Sequence, residues 1–363
     1  MKIILSGGGT MGSVSPLLAI KETMDAQEIA VEYLWVGTRE GIERTVVENE
    51  NILYASISSG KLRRYFSWKN FIDPFRIIGG VFQSIKIILA FKPDIILSAG
   101  GFVSVPLVWA GWLLGVKSVI HQQDLRVGFA NKLMVGCSTA VTVAFEKTVA
   151  MFPAKKVIHI GNPIRLDMLN GKREKAIAKY GLDPILPTLY VVGGSQGSEY
   201  FNQLMMDSIV DLIEFCQIVH VTGPHSKIDW VDREKFGEKA KRYHQTQYIY
   251  EGLGDLYAMA DLVVCRAGLA TLTELSVLGK PAVIIPIPDH QAEENANYFE
   301  VKNAVIRLDQ NKTNVDHFVS LIEGLITNKN SLNRLKGNIL GMMPEGVNER
   351  YVAFILDLIV GRR

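Results

Sequence analysis

Cysteine is scarce in this chain, with three residues in 363 and no C-x-x-C pair among them. Cys137, Cys216 and Cys265 are widely spaced and odd in number. The sequence therefore predicts neither a disulfide framework nor a zinc cluster, and this cysteine usage is typical of a reducing cytoplasm. The N-terminus also lacks the long apolar region of a secretory signal peptide, so residues 1–6 predict a buried first strand.

Charge of one sign is lacking as well, since 39 Lys and Arg balance 37 Asp and Glu. No global field steers the protein to nucleic acid, and we predict no nucleic-acid partner. The chain has no Asp-x-Asp pair to chelate a nucleotide-bound metal, and His290 has no second histidine at ligand spacing. We therefore expect a protein that uses neither a metal nor another cofactor.

An uninterrupted membrane span is also missing, although residues 95–116 come near to one. The segment contains no charged residue and is long enough to cross a bilayer. Gly100, Gly101, Ser104 and Pro106 interrupt it. The pattern predicts a buried strand, a tight glycine turn and a helix.

Short apolar runs alternate with helical stretches throughout the chain, which indicates βαβ units and parallel sheets. The pattern restarts near Thr188, and a chain of 363 residues suits two domains. We expect an N-terminal domain over residues 1–161 and a C-terminal domain over residues 162–344, each α/β with a doubly wound parallel sheet. Apolar residues at helical spacing predict a last helix, within residues 345–363, that packs back on the first domain.

Three strand ends run into glycine-rich turns: Gly7-Gly8-Gly9-Thr10-Met11-Gly12, Gly100-Gly101-Phe102-Val103-Ser104 and Gly193-Gly194-Ser195-Gln196-Gly197. Backbone N–H groups in such turns approach an anion at a helix N-terminus, so phosphate is the predicted ligand. The alternative is that the glycines only allow close packing of strand and helix. The first turn also satisfies the G-x-G-x-x-G pattern of nicotinamide dehydrogenases. No ribose-binding acid stands at the expected position near Gly37, however, and no Walker lysine follows any of the turns.

Two further segments gather polar residues after predicted strands. The amides after Gly268 can meet a phosphate, and Glu274, about two turns into the same helix, can accept hydrogen bonds from a ribose. The alternative for Glu274 is a solvated helix residue. The second segment groups Asp289, His290, Gln291, Glu293, Glu294 and Asn295. Ligands of parallel α/β folds bind at the carboxyl edge of the sheet, and we expect both segments to lie there.

These motifs together resemble the MurG family, the bacterial transferases that add N-acetylglucosamine to the muramyl-pentapeptide lipid carrier in peptidoglycan synthesis. The resemblance runs from the first predicted strand to the last helix. It is carried, in the family's order, by Gly8-Gly9-Thr10 with Pro16, Gly100-Gly101-Phe102-Val103-Ser104, His121-Gln122-Gln123-Asp124 with Asn131-Lys132, Gly161-Asn162-Pro163-Ile164-Arg165, Gly193-Gly194-Ser195-Gln196-Gly197, Cys265-Arg266-Ala267-Gly268, and Gln291 with Asn295.

The resemblance implies a GT-B architecture, in which two Rossmann-like domains face a cleft that forms the active site. It implies an inverting, metal-independent hexosyltransferase that moves N-acetylglucosamine from UDP-N-acetylglucosamine to undecaprenyl-linked N-acetylmuramyl-pentapeptide. The second domain would hold most of the donor, with Ser195 near the phosphates, Glu274 at the ribose and Tyr250 in the segment that contacts uracil. The implied substrate-binding residues are Thr10, Met11, Gly12, Ser13, Asp124, Asn131, Arg165, Ser195, Tyr250, Leu269, Ala270, Thr271, Leu272, Thr273, Glu274, Gln291 and Asn295.

Two residues depart from the family's pattern. The family has histidine after its first glycine turn, where this chain has Ser13, and asparagine where this chain has Asp124. An inverting transfer needs a base for the acceptor hydroxyl, and we hypothesise that Asp124 or His121 serves. The alternative for His121 is a histidine whose hydrogen bonds are satisfied at a strand end. The glycine-turn amides, Ser195 and Arg165 would stabilise the departing pyrophosphate.

A lipid-linked acceptor requires contact with a bilayer surface, and residues 61–77 mix basic with aromatic side chains, among them Phe66 and Trp68. Trp109 and Trp112 follow in the same domain. Such a mixture is typical of an interfacial patch on anionic lipid, and it predicts a peripheral protein on the cytoplasmic face of the cell membrane. The alternative is that these aromatic residues pack in the core.

Four other functions fit parts of the sequence. The same fold could act on another lipid acceptor, such as a diacylglycerol, or epimerise the UDP-sugar. A catalytically silent UDP-sugar-binding protein would agree with Ser13 at the position of the family's histidine. A dehydrogenase fits least, for the reasons given above.

Overall fold

The computed structural model describes residues 1–41, 43–60, 69–194, 196–224, 226, 230, 233–249, 251–288 and 292–361, with the backbone alone for residues 69–75. The chain forms two compact units. Unit 1 comprises Met1–Arg165 and Gly346–Arg363, and unit 2 comprises Leu166–Glu345. The division thus falls after Arg165, where the sequence suggested a boundary after residue 161.

Unit 1 is built on a seven-stranded parallel sheet in the order β3-β2-β1-β4-β5-β6-β7. Its strands are β1 Lys2–Ser6, β2 Glu32–Gly37, β3 Leu53–Ser56, β4 Ile95–Ser98, β5 Lys117–Gln122, β6 Ala140–Val143 and β7 Val157–His159. The central strands β1 and β4 consist mainly of buried isoleucine, leucine and serine residues. Near-continuous apolar runs of this kind are what a sheet covered on both faces requires.

Helices connect the strands of unit 1. They are α1 Ser15–Ala26, α2 Glu43–Asn49, α3 Lys69–Phe91, α4 Ser104–Leu113 and α5 Phe129–Met134, with 3₁₀ helices at Met11–Ser13 and Glu146–Met151. Pro16 stands in the first turn of α1, where its missing N–H removes no helical hydrogen bond.

Unit 2 repeats the plan with six parallel strands in the order β10-β9-β8-β11-β12-β13. They are β8 Thr188–Val192, β9 Gln217–Val221, β10 Tyr243–Thr246, β11 Leu262–Cys265, β12 Ala282–Ile284 and β13 Ile306–Arg307. The helices are α6 Leu166–Leu169, α7 Arg173–Tyr180, α8 Glu199–Phe215, α9 Leu253–Met259, α10 Leu269–Leu278, α11 Ala292–Val301, α12 Val315–Ile326 and α13 Lys329–Ile339, with a kinked 3₁₀ segment at Arg233–Arg242. The chain then returns to unit 1 as α14 Val347–Val360.

Helix α14 completes the core of unit 1, where Tyr351 and Ile355 are buried among residues of β1 and α1. Asn348 fixes the start of this helix. Its Oδ1 accepts from the N–H of Ile164 at 3.0 Å, and its Nδ2 donates to the Ile164 carbonyl at 2.8 Å and to Thr23 Oγ1 at 3.0 Å. The last helix is therefore bonded to the segment of unit 1 that immediately precedes the boundary.

The fold class read from the sequence is confirmed, since both sheets are parallel, doubly wound and connected by helices. Residues 95–116 form β4, a glycine turn and α4, as their pattern predicts. In the part of the chain that the structure describes, no helix has the length and apolarity needed to cross a membrane.

Candidate active site

Each sheet has one point at which the strand order reverses, between β1 and β4 in unit 1 and between β8 and β11 in unit 2. Ligands of open parallel sheets bind outside the carboxyl ends of the strands at such a point. The turns that follow these strands, and the neighbouring turn after β5, carry many of the residues singled out from the sequence.

In unit 1 the turns after β1 and β4 pack backbone against backbone. A Cβ atom added to Gly101 would lie 2.8 Å from the carbonyl oxygen of Gly8, and Gly101 has a φ of +91°. Both conditions exclude residues other than glycine. Close approach of two turns, and not of strand and helix as the alternative from the sequence had it, therefore accounts for the glycine at position 101.

Residues 10–13 connect β1 to α1. Thr10 is exposed, Met11 packs partly buried against the core, and Ser13 is buried. Ser13 Oγ donates toward the carbonyl oxygens of Gly8 at 3.2 Å and Thr10 at 3.0 Å. Ser13 thus braces the turn from inside and does not replace the base that the family's histidine would supply.

A wholly buried carboxylate lies beneath this turn, and the sequence reasoning missed it. Glu43, at the start of α2, accepts hydrogen bonds through Oε2 from the N–H of Gly9 at 3.3 Å and through Oε1 from the N–H and Oγ of Thr38 at 2.9 and 2.6 Å. One feature of the sequence could have identified Glu43. It is an acid in the first turn of the helix after the second strand, a few residues beyond the position where a ribose-binding acid is expected.

His121 lies inside unit 1 with both ring nitrogens engaged. Its Nδ1 is 2.9 Å from Thr142 Oγ1 and its Nε2 is 2.9 Å from Asn162 Oδ1, while the Tyr351 ring packs edge-on against it. Burial lowers the pKa of His121 to about 4, with the Asn162 and Thr142 hydrogen bonds opposing that shift. A buried ring with both nitrogens bonded cannot reach an acceptor hydroxyl, so the geometry supports the structural alternative for His121 and leaves Asp124 as the candidate base.

Asp124 follows β5 in a bend and is half-buried. The Gln122 carboxamide organises this bend, because its Nε2 donates to the carbonyls of Asp124 at 2.7 Å and Arg126 at 3.1 Å. Buried Asn131 in turn donates to Gln122 Oε1 at 2.8 Å and to the His121 carbonyl at 3.1 Å. Asn131 therefore shapes the loop from beneath, and Asp124 stands on that loop at the carboxyl edge of the sheet.

Arg165, predicted to bind the donor, ends the first segment of unit 1. Its Nε pairs with Glu22, and its Nη2 pairs with Glu50 at 2.7 Å. All three side chains are largely buried. Within unit 1, the guanidinium is therefore held by two carboxylates.

In unit 2 the turn after β11 opens directly into α10. Gly268 is the N-cap residue, is exposed, and has no side-chain cap hydrogen bond. Leu269, Ala270 and Thr271 follow as the first helical residues, whose N–H groups have no partner within a helix. An uncapped helix N-terminus at a strand-order reversal suits an anion such as a phosphate.

Glu274 lies further along α10 and is only 9% exposed. Tyr257 donates its hydroxyl to Glu274 Oε2 at 2.8 Å. Burial raises the pKa of Glu274 to about 7, the Tyr257 hydrogen bond lowers it, and Asp167 raises it. The structure excludes the solvated helix residue considered from the sequence. In the same helix, Leu272 and Thr273 are buried, and Thr273 Oγ1 donates to the Leu269 carbonyl.

Two neighbours hold this edge of unit 2 in place. Arg266 donates through Nη2 to Ser198 Oγ at 2.8 Å and through Nη1 to the Ile285 carbonyl at 2.8 Å. Asn295, predicted to touch substrate, is wholly buried in α11, with its Nδ2 at 3.5 Å from the Ala267 carbonyl. Asn295 thus contacts the turn that leads to α10 from the interior.

Two family models match this chain, the glycosyltransferase family 28 N-terminal domain over residues 3–143 and the glycosyltransferase family 28 C-terminal domain over residues 188–343. The UDP-N-acetylglucosamine--N-acetylmuramyl-(pentapeptide) pyrophosphoryl-undecaprenol N-acetylglucosamine transferase 2 of Bacillus cereus is 37% identical over 90% of this chain and 92% of its own length. A transferase of Clostridium botulinum has the same name but lacks the final numeral 2. It is 38% identical over 91% of this chain and 92% of its own length. The chain belongs to glycosyltransferase family 28.

The resemblance of this family 28 chain to MurG is confirmed by these relatives. Among solved structures, Acinetobacter baumannii MurG aligns with a TM-score of 0.73 at 23% identity, covering 98% of this chain and 99% of that one. The glycotransferase of kitacinnamycin aligns with a TM-score of 0.75 at 14% identity, covering 99% of each. At such identities the two structures show the fold alone, and that fold is GT-B.

Several residues singled out from the sequence lie outside the described part of this family 28 chain. They are Ser195, Tyr250, Asp289, His290, Gln291 and the segment 61–68 with Phe66 and Trp68. Of the predicted surface tryptophans, Trp109 is partly buried and donates its indole N–H to the Leu133 carbonyl at 3.0 Å. Trp112, at the end of α4, is 58% exposed.

Proposed function

We propose that this family 28 transferase moves N-acetylglucosamine from UDP-N-acetylglucosamine to undecaprenyl-linked N-acetylmuramyl-pentapeptide, with inversion at the anomeric carbon. The observation that supports binding of the UDP-N-acetylglucosamine donor is the uncapped N-terminus of α10, followed by Glu274 in the same helix. Gly268 and Glu274 are separated by about 9 Å along the helix axis, at 1.5 Å per residue. The transferases of Bacillus cereus and Clostridium botulinum, which carry this reaction in their names, support the acceptor half.

In this proposal the N-terminal amides of α10 stabilise the charge that develops on the departing UDP. The helix dipole adds to them, because it favours negative charge at this end. Glu274 accepts hydrogen bonds from the ribose hydroxyls and so sets the position of the nucleotide. Ser195 contributes a further donor to the pyrophosphate.

In the acceptor half, Asp124 takes the proton of the attacking hydroxyl. It is a half-buried carboxylate at the carboxyl edge of the unit 1 sheet, on a loop that Gln122 and Asn131 hold from beneath. The bond that forms joins the acceptor oxygen to the anomeric carbon, and the bond that breaks releases UDP. The transferred proton ends on the carboxylate, from which it passes to water.

Acceptor-dependent release of UDP tests this function. Purified protein is incubated with UDP-N-acetylglucosamine, with and without a short-chain lipid-linked muramyl pentapeptide, and both UDP and the disaccharide product are measured. We expect UDP release to require the acceptor and to match the disaccharide one to one. Binding of the donor without release would contradict the proposal and favour a different acceptor or a silent binding protein, and conversion of the donor to its epimer would favour an epimerase.

We further propose that unit 1 contacts the cytoplasmic face of an anionic membrane, where the lipid-linked acceptor is anchored. Helices α3 and α4 pack against each other and expose large apolar side chains, Ile78 and Phe82 on α3 and Trp112 and Leu113 on α4. Large exposed apolar side chains on two helices that pack together are the observation that supports this contact. Basic residues in the segment 61–77 would add attraction to anionic lipid.

Replacing Phe82 and Trp112 together with serine should weaken binding to anionic vesicles by about tenfold or more, since burying each side chain in the interface contributes roughly 1.5–3 kcal/mol. Vesicle sedimentation measures the binding, and turnover of a short-chain soluble acceptor should not fall. Val301→Ser in unit 2, which also removes a highly exposed apolar side chain, is the matched control. Unchanged sedimentation of the double variant would place the membrane contact elsewhere.

A further inference from the structure

The turn after β1 has the glycine pattern of a phosphate cradle, yet its Gly9 amide already donates to a buried carboxylate of the chain. We propose that Glu43 is a positioning residue of the transfer reaction. Its carboxyl group binds the Gly9 amide from beneath the turn, so that this amide fixes the position of residues 10–13 and is not available to a phosphate. This inference rests on the function proposed above.

The first support is the close approach of backbone to carboxylate. A Cβ atom on Gly8 would lie 2.6 Å from Glu43 Oε1, and one on Gly41 would lie 2.1 Å from the same oxygen. Real Cβ atoms do not approach so closely, so both positions need glycine for the carboxylate to fit. Gly8 in this turn and Gly41 before α2 therefore leave the space that the Glu43 carboxyl group occupies.

The second support is the set of hydrogen bonds around the turn. Glu43 accepts from the Gly9 N–H, while the Trp35 indole donates to the Gly7 carbonyl at 3.2 Å and Ser13 Oγ donates toward the Gly8 carbonyl. Glu43 thus binds an N–H group of the turn, whereas Trp35 and Ser13 bind its carbonyl groups. Loss of the carboxylate would release only that N–H group.

The third support is the set of donors around the carboxyl group. Glu43 Oε1 accepts from the N–H and Oγ1 of Thr38, and Oε2 accepts from the Gly9 N–H, while the Tyr54 hydroxyl donates to the Thr38 carbonyl at 2.6 Å. Because the Gly9 N–H already donates to Glu43, that amide is not available to a phosphate bound at this turn.

The substitution Glu43→Gln tests the positioning role. It keeps the shape but turns an N–H₂ group toward the Gly9 N–H or the Thr38 donors, so the turn must shift. Misplacement of groups at a reacting centre by about 1 Å costs on the order of 100-fold in rate. We expect kcat with the lipid-linked acceptor to fall by about 10- to 100-fold, while the dissociation constant of UDP-N-acetylglucosamine stays close to wild type.

Thr38→Val is the matched control, because it removes the 2.6 Å bond to the same carboxyl group and leaves that group and its Gly9 bond in place. We expect its kcat to stay within about threefold of wild type, in line with the loss of one hydrogen bond. Equal losses of kcat in the two variants, or a parallel loss of donor binding in Glu43→Gln, would reduce Glu43 to a stabilising residue and overturn the proposal.

The exclusion of phosphate has its own test, which does not need turnover. In protein labelled with ¹⁵N-glycine, the Gly9 amide resonance should not respond to inorganic pyrophosphate in the wild type. A saturable response of Gly9 to pyrophosphate would overturn the inference whether or not the enzyme is active. Failure of the wild type to transfer sugar, in contrast, would reject the proposed function and leave this result standing.

Discussion

Asp124→Asn should lower kcat by about 10²- to 10⁴-fold, the usual contribution of a general base, while leaving the affinity for UDP-N-acetylglucosamine unchanged. The expectation follows from what unit 1 offers at the carboxyl edge of its sheet. His121 is buried with both nitrogens bonded, and the Ser13 hydroxyl faces the turn carbonyls. Asp124 is the remaining candidate among the residues proposed from the sequence.

The experiment separates a base from a group that only shapes the loop. Asp124→Ala should regain part of its turnover when formate is added, because a small carboxylate can take the proton in place of the side chain. Glu146→Gln, which alters an exposed acid of the same unit, is the matched control and should behave as wild type. If Asp124→Asn turns over normally, an asparagine suffices at this position, as in the family, and the base is another group.

The fold was predictable because its signals are local. Short apolar runs mark the strands, and several of them end in glycine. The segment 95–116 shows how Gly100 and Gly101 distinguish a strand, turn and helix from a membrane span. The spacing of apolar residues likewise predicts the last helix, which forms as α14. In each case the pattern lies within a few residues, so no knowledge of distant contacts is needed.

The state of the site residues could not be predicted in the same way, because it depends on distant parts of the chain. Hydrogen bonds with Thr142, 21 residues away, and with Asn162, 41 residues away, occupy both ring nitrogens of His121. They exclude His121 as the base. Glu43 reaches the Gly9 amide across 34 residues. Such contacts arise only when strands adopt their order in the sheet, whereas the sequence shows each side chain with its immediate neighbours alone.

Glu274→Gln should raise the dissociation constant of UDP-N-acetylglucosamine by about 10- to 100-fold, because a hydrogen bond from a ribose hydroxyl to a charged acceptor contributes roughly 1.5–3 kcal/mol. Binding by calorimetry is the appropriate measurement, since it does not involve the base. A change below about twofold would show that Glu274 does not hold the ribose. The conservative variant keeps the size of the side chain, so the helix α10 should be retained.

The pKa of Glu274 gives this binding a pH dependence with a definite sign. Burial raises that pKa to about 7, so below neutral pH the group is largely protonated in the free protein. The ribose hydroxyls favour the carboxylate, and a proton therefore competes with the donor. We expect affinity for UDP-N-acetylglucosamine to rise with pH up to about 7 and then to level off, with no such rise in Glu274→Gln.

Two neighbours should move that midpoint in opposite directions. Tyr257 donates a hydrogen bond that lowers the pKa of Glu274, so Tyr257→Phe should shift the midpoint of donor binding to higher pH. Asp167 raises the same pKa through its charge, so Asp167→Asn should shift the midpoint to lower pH. Opposite shifts would assign the titration to Glu274. A midpoint that neither variant moves would assign it to another group, and the donor would then be bound without the Glu274 carboxylate as its pH-sensitive contact.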